Sequence, residues 1–175
     1  MAGRQKVVLY NPRAVFYAMP LALVAVGSAL DPERYDVVVI DGRLERDLVA
    51  KVASAAEGAL VLGVTTLTGA PLRDALAVTR AVRARHPRLP IVWGGWHASL
   101  FPGETLGEVP IDAVVVGQGE ETFAEIVDGL AAGESIGNVA GAMSSRSVAD
   151  IAPATLPIDS PAASPSTISA KVSSP

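Results

Sequence analysis

Ala59-Leu60-Val61-Leu62-Gly63-Val64 runs into Thr65-Thr66-Leu67-Thr68-Gly69 and then into Ala70-Pro71-Leu72-Arg73-Asp74-Ala75-Leu76. The first six residues are a continuous apolar run of strand length, the pattern of a strand covered on both faces in a parallel sheet. The next five form a polar turn. Beyond it Leu72, Ala75, Leu76, Val78 and Val82 recur at helical spacing as far as Arg85. Pro71 falls in the first turn of that helix, where a missing N–H costs nothing. The stretch is one strand–loop–helix unit.

The same unit recurs on both sides. Upstream, residues 6–10 form a β-rich run closed by Asn11-Pro12, and residues 21–30 an Ala/Leu-rich helix that starts at Pro20 and stops at Asp31-Pro32. Residues 35–40 are nearly unbroken Val and Ile, which predicts a strand with both faces covered. A second helix follows over 46–56, with Gly58 at its end. Downstream come a strand at 91–93, a loop rich in Gly and Pro over 94–110, a strand at 111–116 and a helix from 121 to 132. A last short edge strand is expected within 139–143. Strict alternation predicts an α/β fold of three layers: a mostly parallel five-stranded sheet, flavodoxin-like or Rossmann-like, with helices on both faces. The strand order chosen within that class is 2-1-3-4-5, and ligands of such sheets sit outside the carboxyl ends of the strands where the order reverses. Residues 144–175 are mostly Ser, Ala, Pro and Thr without any period. The expected division is therefore a folded domain at 4–143 and a disordered Ser/Pro/Ala-rich tail at 144–175.

Composition excludes several functions. The 175 residues are 50% hydrophobic and 18% charged, as in a core-forming chain. With no cysteine, disulfide scaffolds, thiolate zinc sites, cysteine nucleophiles and cysteine-ligated iron–sulfur clusters fall together. Two histidines are too few for an ordinary all-protein zinc site. A net charge of −4 and a pI near 5.1 argue against nucleic acid as partner. No apolar run approaches the ~20 residues of a membrane span. The N-terminus carries no signal-peptide core, so the expected compartment is the cytoplasm.

The loops after the strands carry the functional information. The first, from Asn11 and Pro12 to Met19, has neither the G-x-G-x-x-G fingerprint nor a P-loop, and it lacks the phosphate cradle a flavin would need. It is apolar and aromatic. Val15, Phe16 and Met19 either cap the core or lie against a large flat apolar ligand. The third loop offers the hydroxyls of Thr65, Thr66 and Thr68. One of them is expected to cap the next helix, which leaves a surplus for a phosphate, an amide or a heterocycle edge. The fourth loop, Trp93-Gly94-Gly95-Trp96-His97-Ala98-Ser99, places paired glycines directly after a buried strand, where backbone can approach a ligand closely. His97 reads as a hydrogen-bonding loop residue, and His86 suits the helix C-terminus it occupies. In the fifth loop Gly117, Gln118 and Gly119 precede Glu120 and Glu121, whose charges complement a helix N-terminus. Ser28 and Ser54 sit mid-helix, outside any nucleophile elbow. The receiver-type phosphoacceptor site is excluded as well, because its strand ends carry Asn11, Thr65 and Gly117 instead of acids and a lysine. No catalytic constellation and no metal-ligand set emerges, which leaves a module that holds a ligand.

The segments Lys6-Val7-Val8-Leu9-Tyr10-Asn11-Pro12, Met19-Pro20-Leu21 and Val39-Ile40-Asp41-Gly42 resemble the opening of the cobalamin-binding domain at the N-terminus of cobalamin-dependent radical SAM enzymes. Gly94-Gly95-Trp96-His97-Ala98-Ser99, Ile111-Asp112-Ala113-Val114-Val115-Val116 and Gly117-Gln118-Gly119-Glu120-Glu121-Thr122 resemble that family's G-G-x-H and V-x-G-x-G-E patterns. The resemblance covers residues 6–143. It implies cobalamin as cofactor, with the corrin over the carboxyl edge of the sheet and the dimethylbenzimidazole tail in its crevice. Thr65 and Leu67 would match the Ser-x-Leu element flanking the tail. Gly94 and Gly95 would let the tail pass, and Gly117 and Gly119 would border it. Asn11, Pro12, Phe16 and Met19 would face the corrin, and Thr66, Thr68, Trp96, His97, Gln118 and Glu120 complete the expected cofactor-binding set. The D-x-H-x-x-G motif that supplies a lower cobalt ligand is missing, so no protein metal ligand is expected. The family's C-x-x-x-C-x-x-C cluster motif is also missing. The chain is therefore expected to carry the corrinoid for a separate or missing radical SAM or methyl-transfer domain. The alternative is a Rossmann-like domain that binds a small phosphorylated or nucleotide ligand on Thr65, Thr66 and Thr68. A third reading is an interaction module with vestigial glycine loops.

Overall fold

The computed structural model describes residues 3–14, 19–137 and 139–144. Its sheet has the order β2-β1-β3-β4-β5-β6. The strands are β1 (Gln5–Asn11), β2 (Tyr35–Asp41), β3 (Ala59–Thr65), β4 (Ile91–Gly94), β5 (Ala113–Val115) and β6 (Ala142–Ser144). The first five run parallel in the order expected. The sixth strand pairs antiparallel with β5, Val114 opposite Met143, and it extends one residue past the expected domain end to include Ser144. The rest of the expected tail, 145–175, lies outside the described residues.

Side-chain alternation builds two cores. Val8, Tyr10, Leu62, Ile91, Trp93 and Val114 face α2 (Leu48–Ala55) and α3 (Ala70–Arg85), where Val52, Ala75, Val78 and Val82 meet them. Val7, Leu9, Val61, Val92, Ala113 and Val115 face the other way, toward Leu23 of α1 (Leu21–Ser28) and Phe123, Ile126 and Val127 of α6 (Glu120–Ala131). Period-two alternation with apolar residues on both faces is what a parallel sheet between two helical layers requires. β2 departs from the expectation. It is the edge strand, and Val39 remains exposed.

Element ends shift by one or two residues in several places, and two differences have local reasons. The second helix starts at Leu48, because the Asp47 side chain accepts a hydrogen bond from Ala50 N and caps it there. The stretch expected as a loop over 94–110 instead holds two short helices, α4 (Trp96–Leu100) and α5 (Pro102–Glu108). Gly95 at positive φ starts α4 and Pro102 opens α5. Helices of five and seven residues are too short to show a period.

Candidate functional site

The strand order reverses between β1 and β3, and the carboxyl ends of β1, β3, β4 and β5 open there into a cleft between α1 and α6. Its walls are the buried side chains of Leu9, Leu23, Val92, Val115 and Phe123, with Ala22 and Val26 from α1. Glycines make the room. A β-carbon on Gly63 would lie 2.8 Å from Leu9 Cδ2 and 3.0 Å from Phe123 Cζ, so a bare backbone lets those two side chains close the floor. A β-carbon on Gly94 would meet only Val115, at 3.7 Å, and one on Gly119 would touch Val115 and Val26 at 3.5 Å. Thr65, Gly117, Gln118 and Glu120 form the rim. The cleft thus brings together Thr65, Gly94, Gly95, Gly117, Gln118, Gly119 and Glu120 of the expected set. Its apolar depth suits a flat, largely hydrocarbon group with polar parts left at the mouth.

The paired glycines divide their work. Gly94 borders open space, whereas Gly95 packs against its own protein. Gly95 has φ +88°, and a β-carbon there would lie 2.7 Å from Thr65 Oγ1 and 2.9 Å from both N and O of Thr66. The β3–α3 and β4–α4 loops are stitched together at this point. Thr66 N donates to Gly94 O at 2.8 Å and His97 N donates to Thr66 O at 3.1 Å. The fully buried Thr66 hydroxyl donates to Gly94 O at 2.9 Å and accepts from Ala98 N at 3.3 Å. Thr66 is therefore committed to the fold. None of the three hydroxyls caps α3, whose N-cap is Gly69. Thr68 Oγ1 instead lies 3.1 Å from His97 Nδ1.

His97 does not reach the cleft. It lines a separate depression on the opposite face of the sheet, with Leu72, Leu76, Trp93 and Glu104, and its ring packs tilted against Phe101 at 5.3 Å. Leu67 and Trp96 also lie outside the cleft lining and are exposed, Trp96 at 67%. His86, at the far end of α3, has Nε2 at 2.8 Å from Ala53 O.

The start of the first loop, residues 11–13, is fastened at both sides. Asn11 Nδ2 donates to Asp41 Oδ1 at 3.2 Å, and Gly42 N donates to Asn11 O at 2.8 Å. Asp41 also takes hydrogen bonds from Arg43 N and Nε. The Arg43 guanidinium holds the Asp41 carboxyl below its ordinary value, against the opposing pull of burial. Arg13 Nε reaches Gly42 O at 3.2 Å and its Nη2 reaches Glu45 O at 2.6 Å. On the other side Asp74 of α3 accepts from Arg13 N at 2.8 Å and from the hydroxyl of buried Tyr10. Burial, reinforced by that bond, pushes the Tyr10 phenol well above its ordinary value, so it remains a donor. Pro12 is buried at this junction and Met19 is 65% exposed where the loop enters α1. Phe16 lies outside the described residues.

Sequence reading missed the cleft's apolar walls and the Arg13–Asp74 fastening. Gly63 was the available clue, since a lone glycine within a strand marks close approach. Arg13 and Asp74 are 61 residues apart, and no local pattern joins them. Among the described residues no three His, Asp or Glu side chains are grouped to hold a metal ion, and no helix is long and apolar enough to cross a membrane.

Residues 9–127 match the B12 binding domain family. The chain is 37% identical over 127 residues to a protein of Pyrococcus horikoshii named uncharacterized methyltransferase PH0819, a match covering 70% of this chain and 27% of that protein. Its fold is similar to part of the radical S-adenosylmethionine methyltransferase TsrM of Kitasatospora setae, solved with cobalamin and a four-iron, four-sulfur cluster bound. That likeness has a TM-score of 0.68 at 22% identity, over 81% of this chain and 27% of TsrM. The cobalamin-dependent S-adenosylmethionine radical enzyme OxsB, solved with aqua-cobalamin bound, gives a TM-score of 0.67 at 15% identity, over 79% of this chain and 20% of OxsB. These structural likenesses concern the fold, and the chain spans about a quarter of the curated relative's length. The glycine-floored cleft at the switch point fits such a group, because a β-carbon at Gly94 or Gly119 would project into the space the group needs. The chain belongs to the B12 binding domain family, and cobalamin is its cofactor.

Proposed function

We propose that this protein is a cobalamin carrier that buries the dimethylbenzimidazole tail in the cleft between α1 and α6 and presents the corrin, over the carboxyl edge of the sheet, to a radical SAM or methyl-transfer domain. The observation that carries this is the apolar cleft at the β1–β3 switch point, floored by Gly63 and Gly94. Thr65, Gly94, Gly117, Gln118, Gly119 and Glu120 border the tail. Asn11, Pro12 and Met19 face the corrin, together with Leu67 and Trp96 at the edge. Thr66, Thr68 and His97 support the loops from behind, and Gly95 packs against Thr66 while lining the cleft. Bound cobalt supplies the methyl-transfer or radical-assisting chemistry, and the protein contributes binding and orientation. A partner domain is supported by the methyltransferase name of PH0819. Residues 4–143 are the proposed carrier unit.

The nucleotide-binding alternative has less support. It needs Thr65, Thr66 and Thr68 to converge on one phosphate, yet the Thr66 hydroxyl is buried between Gly94 O and Ala98 N, and Thr68 pairs with His97. The test is direct. Hydroxocobalamin is added to purified apo-protein, and the mixture is desalted. A red protein carrying one equivalent of corrinoid absorption is expected. A colourless protein that retains a nucleotide in the same procedure would overturn the assignment.

A further inference from the structure

The cleft is graded. Its polar side chains, Thr65, Gln118 and Glu120, stand at the rim. Its depth is Leu9, Leu23, Val26, Val92, Val115 and Phe123. The backbone there is already engaged. Leu9, Gly63 and Val92 belong to the parallel ladders, and at the strand ends Thr66 N bonds Gly94 O while His97 N bonds Thr66 O. Among the described residues, no side chain deep in the cleft offers a bound group a donor or an acceptor.

We infer that the cleft selects the lower base of the corrinoid, taking a benzimidazole and discriminating against a purine of the same bicyclic size. The inference rests on the reading of the cleft as the tail site. A dimethylbenzimidazole turns a hydrocarbon edge and two methyl groups to the walls. Adenine turns additional ring nitrogens and an exocyclic amine to the same surface. In water those groups are hydrogen-bonded, and in the cleft they lose water without gaining a partner. Apolar pockets reject an added polar group only moderately, so the expected loss is roughly 10- to 100-fold in affinity.

The experiment titrates the full chain by absorbance with three corrinoids: cobalamin, adeninylcobamide, and cobinamide, which has no nucleotide tail. Cobalamin is expected to bind tightest, adeninylcobamide roughly 10- to 100-fold more weakly, and cobinamide no better than adeninylcobamide. Equal affinity for the two tailed corrinoids, with cobinamide weaker, overturns the selectivity and leaves the tail reading standing. Equal affinity for all three overturns the tail reading, and the selectivity with it. Gly94→Leu then locates the effect. Its β-carbon sits in ordinary contact with Val115 at 3.7 Å, and the rest of the side chain occupies the cleft. The two tailed corrinoids are expected to bind this variant alike. A variant that still discriminates overturns the cleft as the source. Ala22→Phe, which fills the cleft from the exposed side of α1, gives the same reading should Gly94→Leu fail to fold.

Discussion

Thr66→Val separates a residue that builds the site from one that touches the ligand. The substitution keeps the shape and β-branching of the side chain and removes its hydroxyl. Gly94 O retains a partner, because Thr66 N still donates to it at 2.8 Å. Ala98 N, in the first turn of α4, loses the hydroxyl that accepts its hydrogen bond in a fully buried position. An orphaned buried N–H costs about 1–3 kcal/mol, and the lost hydroxyl-to-carbonyl bond adds about 1 kcal/mol. The gained methyl returns about 0.8 kcal/mol. The net expectation is a loss of about 2 kcal/mol, or roughly 6–8 °C in melting midpoint for a domain of this size. The affinity of the folded variant for hydroxocobalamin should stay within roughly threefold of wild type, about 0.7 kcal/mol. Thermal unfolding by circular dichroism and absorbance titration below the transition measure the two quantities. A variant with an unchanged melting midpoint and tenfold weaker cobalamin binding would refute the assignment of Thr66 to the fold.

Gly95→Ala is expected to lower stability even without ligand, since its β-carbon would press on Thr66 at φ +88°, and an apo-protein that melts like wild type would contradict the packing described. Electron paramagnetic resonance of the cobalt(II) form should show a base-off spectrum without nitrogen superhyperfine splitting. His97 faces the opposite side of the sheet and His86 its far edge, so splitting that vanishes in His97→Ala would refute this. Asp41 has a folded pKa below its unfolded one because of Arg43. Its stabilisation is therefore present above the unfolded value, about pH 4, and is lost as pH falls further through the folded value. Urea unfolding of wild type and Asp41→Asn should differ at pH 7 and converge as the solution is acidified below about pH 4, and a difference that grows on acidification would contradict the sign.

The parts of this molecule legible in the sequence are those fixed by local pattern. The apolar runs of β1 and β3 and the spacing of Leu72, Ala75, Val78 and Val82 in α3 are repeated many times over a short length, so their signal is strong. Alternation of strand and helix predicted the parallel class, and the strand order was a choice among the few arrangements that crossover handedness leaves. The helices α4 and α5 were hidden because each is under two full turns or close to it, and their Gly and Pro residues read equally well as loop. The site was only half legible. Gly94 and Gly95 are identical in sequence and both line the cleft, and only the register of β4 beside β3 determines that a β-carbon on the first would meet Val115 alone while one on the second would press on Thr66. The hydroxyls of the third loop look alike as a string, yet burial assigns Thr66 to the protein and leaves Thr65 at the rim.

The same geometry explains why stability and binding can be perturbed separately here. On one side of the sheet, the cleft between α1 and α6 runs past Gly94 and Gly119, where missing side chains leave an apolar hollow. On the other side, Thr66, Gly95, His97 and Thr68 close the gap between the third and fourth loops with hydrogen bonds and backbone contact. The start of the first loop, residues 11–13, is held between Asp41 and Asp74 by Asn11, Arg13 and Tyr10. The third and fourth loops beside the hollow are therefore positioned by contacts that a bound group does not make. Substitutions that fill the hollow should lower affinity with the fold intact, and those behind it should lower stability first. Thr66→Val and Gly94→Leu are the two halves of that division, and it fails if both variants lose the same property.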